Sequence, residues 1–401
     1  MNKINADNAP LTAKIRFALF SLAAAQGFGS MGQMVMATLS AIIGATLSPL
    51  PELATLPVGA GVIGIAAATL PTAWLCRRFG RRPAFVAGMA WGALGSILAA
   101  YAIHIGSFAG FCCGCFIMGN NIAVVAQYRF AVTEFVPADR VSRAVALLML
   151  GTLLAALAAP ELALRASRLL QTEFSGSFVL LPLSYFAAAF FAILVPLGRP
   201  KTAPDQVVKE RPLRQSLTRP PVQLAIASAA IGFATMSLIM TATPISMHVM
   251  DQHSVEATAG VIQVHLLAMF TPSLISGWLI ARLGINRMLW LGVLCNIVCI
   301  FIVLSGQEIW QYRMGLIALG IGWNLLFVSG TSLLATACSP DEILRVQGVN
   351  DLAMFGTMAV ASLSAGAMLN GLGWTGINLI ALTLIMLVVA SLLRNRNHTA
   401  G

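Results

Sequence analysis

Runs of about 20 or more mostly apolar residues follow one another down nearly the whole chain: 17–43, 54–76, 83–105, 108–134, 142–163, 177–197, 221–246, 257–281, 286–305, 311–336, 344–369 and 373–393. An α-helix rises 1.5 Å per residue, so about 20 residues cross the hydrocarbon core of a bilayer. Such runs have only one comfortable solvent. Charged residues make up 9% of the 401, against about 25% in soluble domains. Hydrophobic residues make up 58% and the mean hydropathy is +0.85. A soluble protein could not cover that much apolar surface. In lipid every backbone polar group must be satisfied internally, which leaves helices or closed barrels, and barrel strands are only about 10 residues long. The expected fold is therefore all-α and membrane-embedded, with twelve spanning helices.

The formal net charge of +10 invites a nucleic-acid partner, but the cations form no stripe or domain. They sit in short patches between the apolar runs. With both termini placed inside, 20 of the 24 Lys and Arg residues fall on the inner side, among them Arg77, Arg78, Arg81 and Arg82 in the second loop. Arg165, Arg168 and Arg313 are left outside, and Arg129 falls within a helix. That asymmetry is the positive-inside pattern. It predicts a multi-pass protein of the bacterial cytoplasmic membrane with both termini cytoplasmic, bilayer as partner and no nucleic acid. The first apolar run is too long for the core of a signal peptide and is read as helix 1.

The chain repeats itself at an offset of about 204 residues. Leu75, Arg78 and Gly80 face Leu279, Arg282 and Gly284. Gly27 to Met31 (GFGSM) faces Gly232 to Met236 (GFATM), Asn120 faces Asn324, and Gly151-Thr152 faces Gly356-Thr357. Matches in a constant order indicate a duplicated six-helix unit. The polar, Pro-rich stretch 198–220 lies between the copies. The expected organisation is an N-terminal six-helix bundle over 1–197, a cytoplasmic linker over 198–220 and a C-terminal six-helix bundle over 221–401.

On these residues the chain resembles the major facilitator superfamily. The signature of that family lies between helices 2 and 3, roughly G-x-L-a-D-R-x-G-R-R. Here Leu75, Arg78, Gly80, Arg81 and Arg82 match it, Ala73 replaces the first Gly, and Arg77 stands where the Asp belongs. The second copy keeps Leu279, Arg282 and Gly284, with Ala281 in the Asp position. The stretches Ala126 to Ala144 and Ala159 to Ala163 are similar to a group of bacterial transporters that includes riboflavin uptake proteins. The resemblance implies a secondary transporter working by alternating access as a monomer, with a small, largely neutral organic solute as cargo and riboflavin uptake as its leading activity.

The resemblance also implies roles for particular residues. The signature loop latches the two bundles through its acid near the start of helix 11. With Arg77 in place of that acid, the expected latch reverses polarity, Arg77 meeting Asp341, Glu342 or Asp351. Arg78, Gly80, Arg81, Arg82, Arg282 and Gly284 belong to the same gating loops. Charges at membrane depth are costly and are paired or functional, so Arg129, Glu134 and Asp351 stand out. Glu134 is expected to meet Arg81 or Arg143. The cavity of this family is lined by helices 1, 4, 7 and 10. At their midpoints lie Gln26, Gln33, Asn120, Asn121, Thr235, Trp323 and Asn324. Uncharged donors and acceptors there suit a neutral hydrogen-bonding solute, and Trp323 could stack on a flat ring. The same polar residues could instead serve interhelical packing.

Other functions find less support. Efflux members of the family often carry G-P-x-x-G-G on helix 5, and here Ala159-Pro160-Glu161 stands without the glycines. A membrane enzyme would need a motif such as HExxH, a nucleotide loop or a Ser/His/Asp set, and none is found. A transporter-like sensor lacks an attached signalling domain. The CCGC run, Cys112 to Cys115, has no His or carboxylate cluster beside it and reads as close packing, so neither metal nor cofactor is expected. His104 and His265 could titrate, but isolated histidines on helices are commonly packed.

Overall fold

The computed structural model describes residues 12–132, 135–136, 141–196 and 213–399. Every regular element among them is helical. The spanning helices are α1 (Ala13–Leu47), α2 (Leu56–Phe79), α3 (Arg81–His104), α4 (Phe108–Val125), α5 (Val141–Ser167) and α6 (Ser175–Leu194) in the first half. In the second half they are α7 (Pro220–Pro244), α8 (Val255–Phe270), α9 (Ile285–Leu304) and α10 (Ile309–Ala337). The long helix Pro340–Thr399 is broken at Gly373, whose φ of 68° and ψ of −178° lie outside any helix. It therefore supplies two spans, α11 (340–372) and α12 (374–399).

Local chemistry explains where spans stop or bend. The apolar pattern predicts one helix over 257–281. The structure inserts a 3-10 turn, Thr271–Leu274, before Ser276–Leu283. Pro272 lacks the N–H that would continue the ladder. The run 108–134 likewise ends early, at Val125, and resumes only as the short helix Tyr128–Ala131. After Pro244, α7 widens into a π-helix, Ile245–Met250.

The two six-helix bundles repeat each other in detail. In the first, α1 packs on α5 and α6, α2 on α4, and α3 on α4 and α6. In the second, α7 packs on α11, α8 on α10, and α9 on α10. Each signature loop turns on a glycine in the left-handed half of backbone space, Gly80 at φ 96° and Gly284 at φ 80°, where a side chain would be strained. Asn120 donates to Gly64 O at 2.6 Å and accepts from Trp91 Nε1 at 3.1 Å, its amide oriented as those bonds require. Its counterpart Asn324 donates to Met269 O at 2.7 Å. Thr152 accepts from Gln26 at 3.0 Å, and Thr357 donates to Ala230 O at 2.9 Å, so each ties its helix to the first helix of its own bundle. Of the expected linker, only 213–220 lies among the described residues, including the short helix Leu213–Leu217.

The bundles meet along α2 with α11 and α5 with α8, two pseudo-equivalent seams. One end of the molecule carries Arg77, Arg78, Arg81 and Arg82 at the α2–α3 turn. At the opposite end Gly366 N donates to Thr55 Oγ1 at 3.0 Å and Asn370 Nδ2 donates to Glu52 at 2.9 Å. There also Arg168 pairs with Glu256 at 2.6 Å and Gln263 donates to Leu157 O at 2.6 Å. All four cross between bundles.

Candidate functional site

A cavity of about 100 Å³ lies between the bundles, beneath this cross-bundle layer. Its walls follow helical periodicity, so each helix turns one stripe inward. From α1 come Gln33, Met36, Ala37 and Ala41, and from α2 Val58, Gly61, Val62 and Ile65. Helix α7 gives Met236, Ser237, Met240, Thr241 and Pro244. Helix α8 adds Leu266, Met269 and Phe270, α11 adds Met358 and Ser362, and Ile122 comes from α4. No charged side chain lines it among the described residues. Small-molecule sites usually measure about 300–1,000 Å³. The bundles are thus drawn together around the cavity, and a cargo of ordinary size requires them to part.

The polar groups of the two walls differ. On the α7–α11 side, Ser237 Oγ lies 2.6 Å from Ser362 Oγ and Thr241 Oγ1 lies 3.5 Å from it, while Ser237 also donates to Met358 O at 3.3 Å. These hydroxyls are satisfied within their own bundle. On the α1 side stands Gln33, half-buried, with no side-chain hydrogen bond to a described residue. Toward the arginine end the floor is apolar. Phe355 packs against the cluster of Ile65, Ala68 and Ala123, joining α11 to α2 and α4.

Of the cavity residues named from the sequence, Gln33 reaches this space. Gln26, two turns nearer the arginine end, is spent on Thr152, where α1 and α5 close so tightly that a Cβ on Gly27 would come within 2.9 Å of Gly151 O. Asn120 and Asn324 bind neighbouring helices of their own bundles, and Asn121 donates to Gly88 O at 3.1 Å and to Met89 Sδ at 3.2 Å. Thr235 is fully buried. Trp323 stacks on Phe327 at 5.4 Å and meets the edge of Phe233 at 5.1 Å. It belongs to an aromatic cluster inside the second bundle, which reaches Phe355 through Phe233. The residues missed from the sequence are the methionines and the Ser237–Thr241–Ser362 hydroxyls. The signal was present: Met236-Ser237 recurs as Met240-Thr241 one helical turn later.

The expected latch is also placed differently. Arg77 is exposed and pairs with no acid among the described residues. Glu342 is occupied within its own half, accepting from Ser216 and Arg219, each at 2.9 Å. Those bonds, with the Ser339 N–H, hold its carboxyl down to about 2. Arg129, in the short helix after α4, lies close enough to Asp351 for their charges to interact. Burial lowers the proton affinity of that guanidinium, and the nearby Asp351 carboxylate opposes the shift. This cation from the first half is not Arg77 and comes two helices later in the chain. Arg82 donates to Val195 O at 2.7 Å, anchoring the signature loop to the end of α6, and Arg282 lies 4.7 Å over the Trp278 ring. Glu134, and the side chains of Asp341 and Arg143, lie outside the described residues. His265 is buried, with Nδ1 2.7 Å from Leu316 O, and His104 lies 3.0 Å from Thr172 Oγ1. Glu161 pairs with Arg165 at 2.8 Å on the surface.

Larger recesses exist: one of about 450 Å³, lined by Glu161, Arg165, Arg168, Glu256 and Gln263, lies between α5 and α8 within the polar cross-bundle layer. Another of about 420 Å³ opens among Phe28, Met31, Leu162 and Leu181 on the outer side of α1, α5 and α6. It contacts one bundle only, so it offers no route between the two ends.

Two duplicated helical bundles with a neutral pocket on their shared axis define a membrane transporter. The chain belongs to the major facilitator superfamily, whose family model matches residues 19–323. It is 36% identical over 376 residues to the riboflavin transporter RfnT of Brucella anthropi, covering 93% of this chain and 94% of that protein. It is 27% identical to YdeG of Bacillus subtilis, an uncharacterised transporter of the same type, covering 94% of this chain and 90% of that one. The fold matches a bacterial homologue of the lysosomal transporter Spinster with a TM-score of 0.68 at 14% identity, covering 96% of each chain. It also matches a bacterial homologue of the iron transporter ferroportin with a TM-score of 0.61 at 14% identity, covering 94% of this chain and 98% of that one.

Proposed function

We propose that this transporter imports riboflavin across the bacterial cytoplasmic membrane, by exposing the central cavity alternately to the two sides. The observation that carries the reading is the 36% identity to a riboflavin transporter along nearly the full length of both chains. The chemistry of the cavity supports it. Riboflavin is uncharged, and a low-dielectric cavity without charged walls disfavours ions, whose desolvation nothing repays. The arginine-rich end faces the cytoplasm, as the positive-inside asymmetry requires, and both termini lie there. The state described, bonded across the opposite end, then presents its apolar floor to the cytoplasm. The halves 1–197 and 221–401 move as bodies about the cavity, with 198–220 as the cytoplasmic connection. The pathway lies within one chain, so a monomer suffices. Expression in a bacterial riboflavin auxotroph is expected to restore growth on micromolar riboflavin and to give saturable uptake of labelled riboflavin. Protein present in the membrane with neither growth nor uptake would overturn the assignment.

A further inference from the structure

This inference rests on the riboflavin reading and specifies how the cavity recognises the ring. Gln33 is the polar side chain that the first bundle turns into the cavity; the other lining residues from α1, α2 and α4 are apolar. A primary amide carries two donors and an acceptor in one plane. The hydroxyls of the opposite wall bond one another and the α11 backbone, so unmet hydrogen-bonding capacity is concentrated at Gln33. Around it stand five thioethers: Met36 from the first bundle and Met236, Met240, Met269 and Met358 from the second. Methionine is unbranched, polarizable and favourable against aromatic rings. A pocket of this composition conforms to a flat ring system and offers that ring one in-plane polar partner.

The isoalloxazine of riboflavin has a matching edge. Its cyclic imide presents an N–H at N3 flanked by two carbonyls, the complement of an amide that both accepts and donates. We infer that Gln33 pairs with this edge: ring N3–H donates to Gln33 Oε1, and an adjacent ring carbonyl accepts from Gln33 Nε2. The five thioethers close on the ring faces. The pairing makes Gln33 a specificity-determining residue for flavins with an unsubstituted imide.

The test uses purified full-length protein and quenching of flavin fluorescence, with riboflavin and N3-methylriboflavin as probes. The methyl group removes the N3 donor and leaves the rest of the ring unchanged. A site built to bond a polar group rejects an analogue lacking it much more strongly than an apolar pocket does. Wild type is expected to bind riboflavin at least tenfold more tightly than the methylated analogue. Gln33→Leu and Gln33→Met are expected to bind riboflavin at least tenfold more weakly than wild type and to tell the two probes apart by less than twofold. Thermal melting reports whether each variant is folded. Equal affinity of wild type for both probes would overturn the pairing without need of any variant. Discrimination that persists in both folded variants would overturn it as well. In either case riboflavin import would stand. Wild type that binds no riboflavin would sink the import reading and this pairing together.

Discussion

Asn120 and Asn324 show how residue type and position can suggest one role while contacts assign another. Both are neutral, polar and at mid-membrane depth. Each bridges its helix to the second helix of its own bundle, at Gly64 O and Met269 O. Asn324 adds a 2.6 Å bond to Ser273 Oγ beside the break in α8. Hydrocarbon offers no replacement partner, yet measured side-chain hydrogen bonds between membrane helices average only about 0.6 kcal/mol and reach about 1.7. Asn120→Ala and Asn324→Ala are therefore each expected to destabilise the detergent-solubilised protein by about 1 kcal/mol. Riboflavin affinity should stay within about twofold of wild type. Melting curves and binding isotherms on the same samples check this. A tenfold loss of affinity at unchanged melting temperature would return these residues to the cavity.

At the scale of elements, the starts of α7 and α11 are fastened together by one carboxylate. Glu342 accepts from Ser216 and Arg219 on one side and from the Ser339 N–H on the other, and its side chain is only 4% exposed. Its carboxyl is held down to about 2 from an ordinary 4.5. A depressed carboxyl contributes stability that is present above the unfolded value and lost as pH falls through the folded one. The melting temperature of wild type should therefore fall more steeply than that of Glu342→Gln as pH drops from about 4.5 toward 2. Parallel curves would show that the carboxylate contributes nothing there. The spans themselves were legible in the sequence because 20 apolar residues have little alternative to a helix in lipid. The duplication was legible because fixed contacts, such as the turns at Gly80 and Gly284, preserve residue type at a fixed offset. Which face of a helix meets a neighbour was not legible. Gln26 and Gln33 look alike in the sequence, and only the close approach of Gly27 to Gly151 commits the first to packing. The break at Pro272 came from local backbone chemistry inside an apolar run. Arg77 stands in the position of a motif acid, whereas the interaction of Arg129 with Asp351 depends on how helices of the two bundles come together.

For the whole molecule, the contacts between the bundles set what each end can do. The end opposite the arginines is bonded across the bundles by polar pairs, several of them exposed. Arg168 and Glu256 are 77% and 57% exposed as side chains, and such ion pairs contribute about 0–1 kcal/mol. The arginine end is closed by Phe355 against Ile65, Ala68 and Ala123. Weak polar bonds at one end, with the Phe355 contact and the Arg129 and Asp351 charges at the other, suit an equilibrium between states of similar free energy. Import through the cavity requires the polar end to open in every cycle. Glu52 and Asn370 bridge the bundles there at 2.9 Å, on exposed positions that accept cysteine without crowding. In a background without the seven native cysteines, Glu52→Cys with Asn370→Cys is expected to support uptake when reduced. A short thiol-reactive crosslinker with a reducible bridge should then abolish uptake, and reductant should restore it. Each single cysteine variant should be indifferent to the same treatment. Uptake that continues in fully crosslinked protein would mean that this end need not part, and a cavity loaded from that side would then be ruled out.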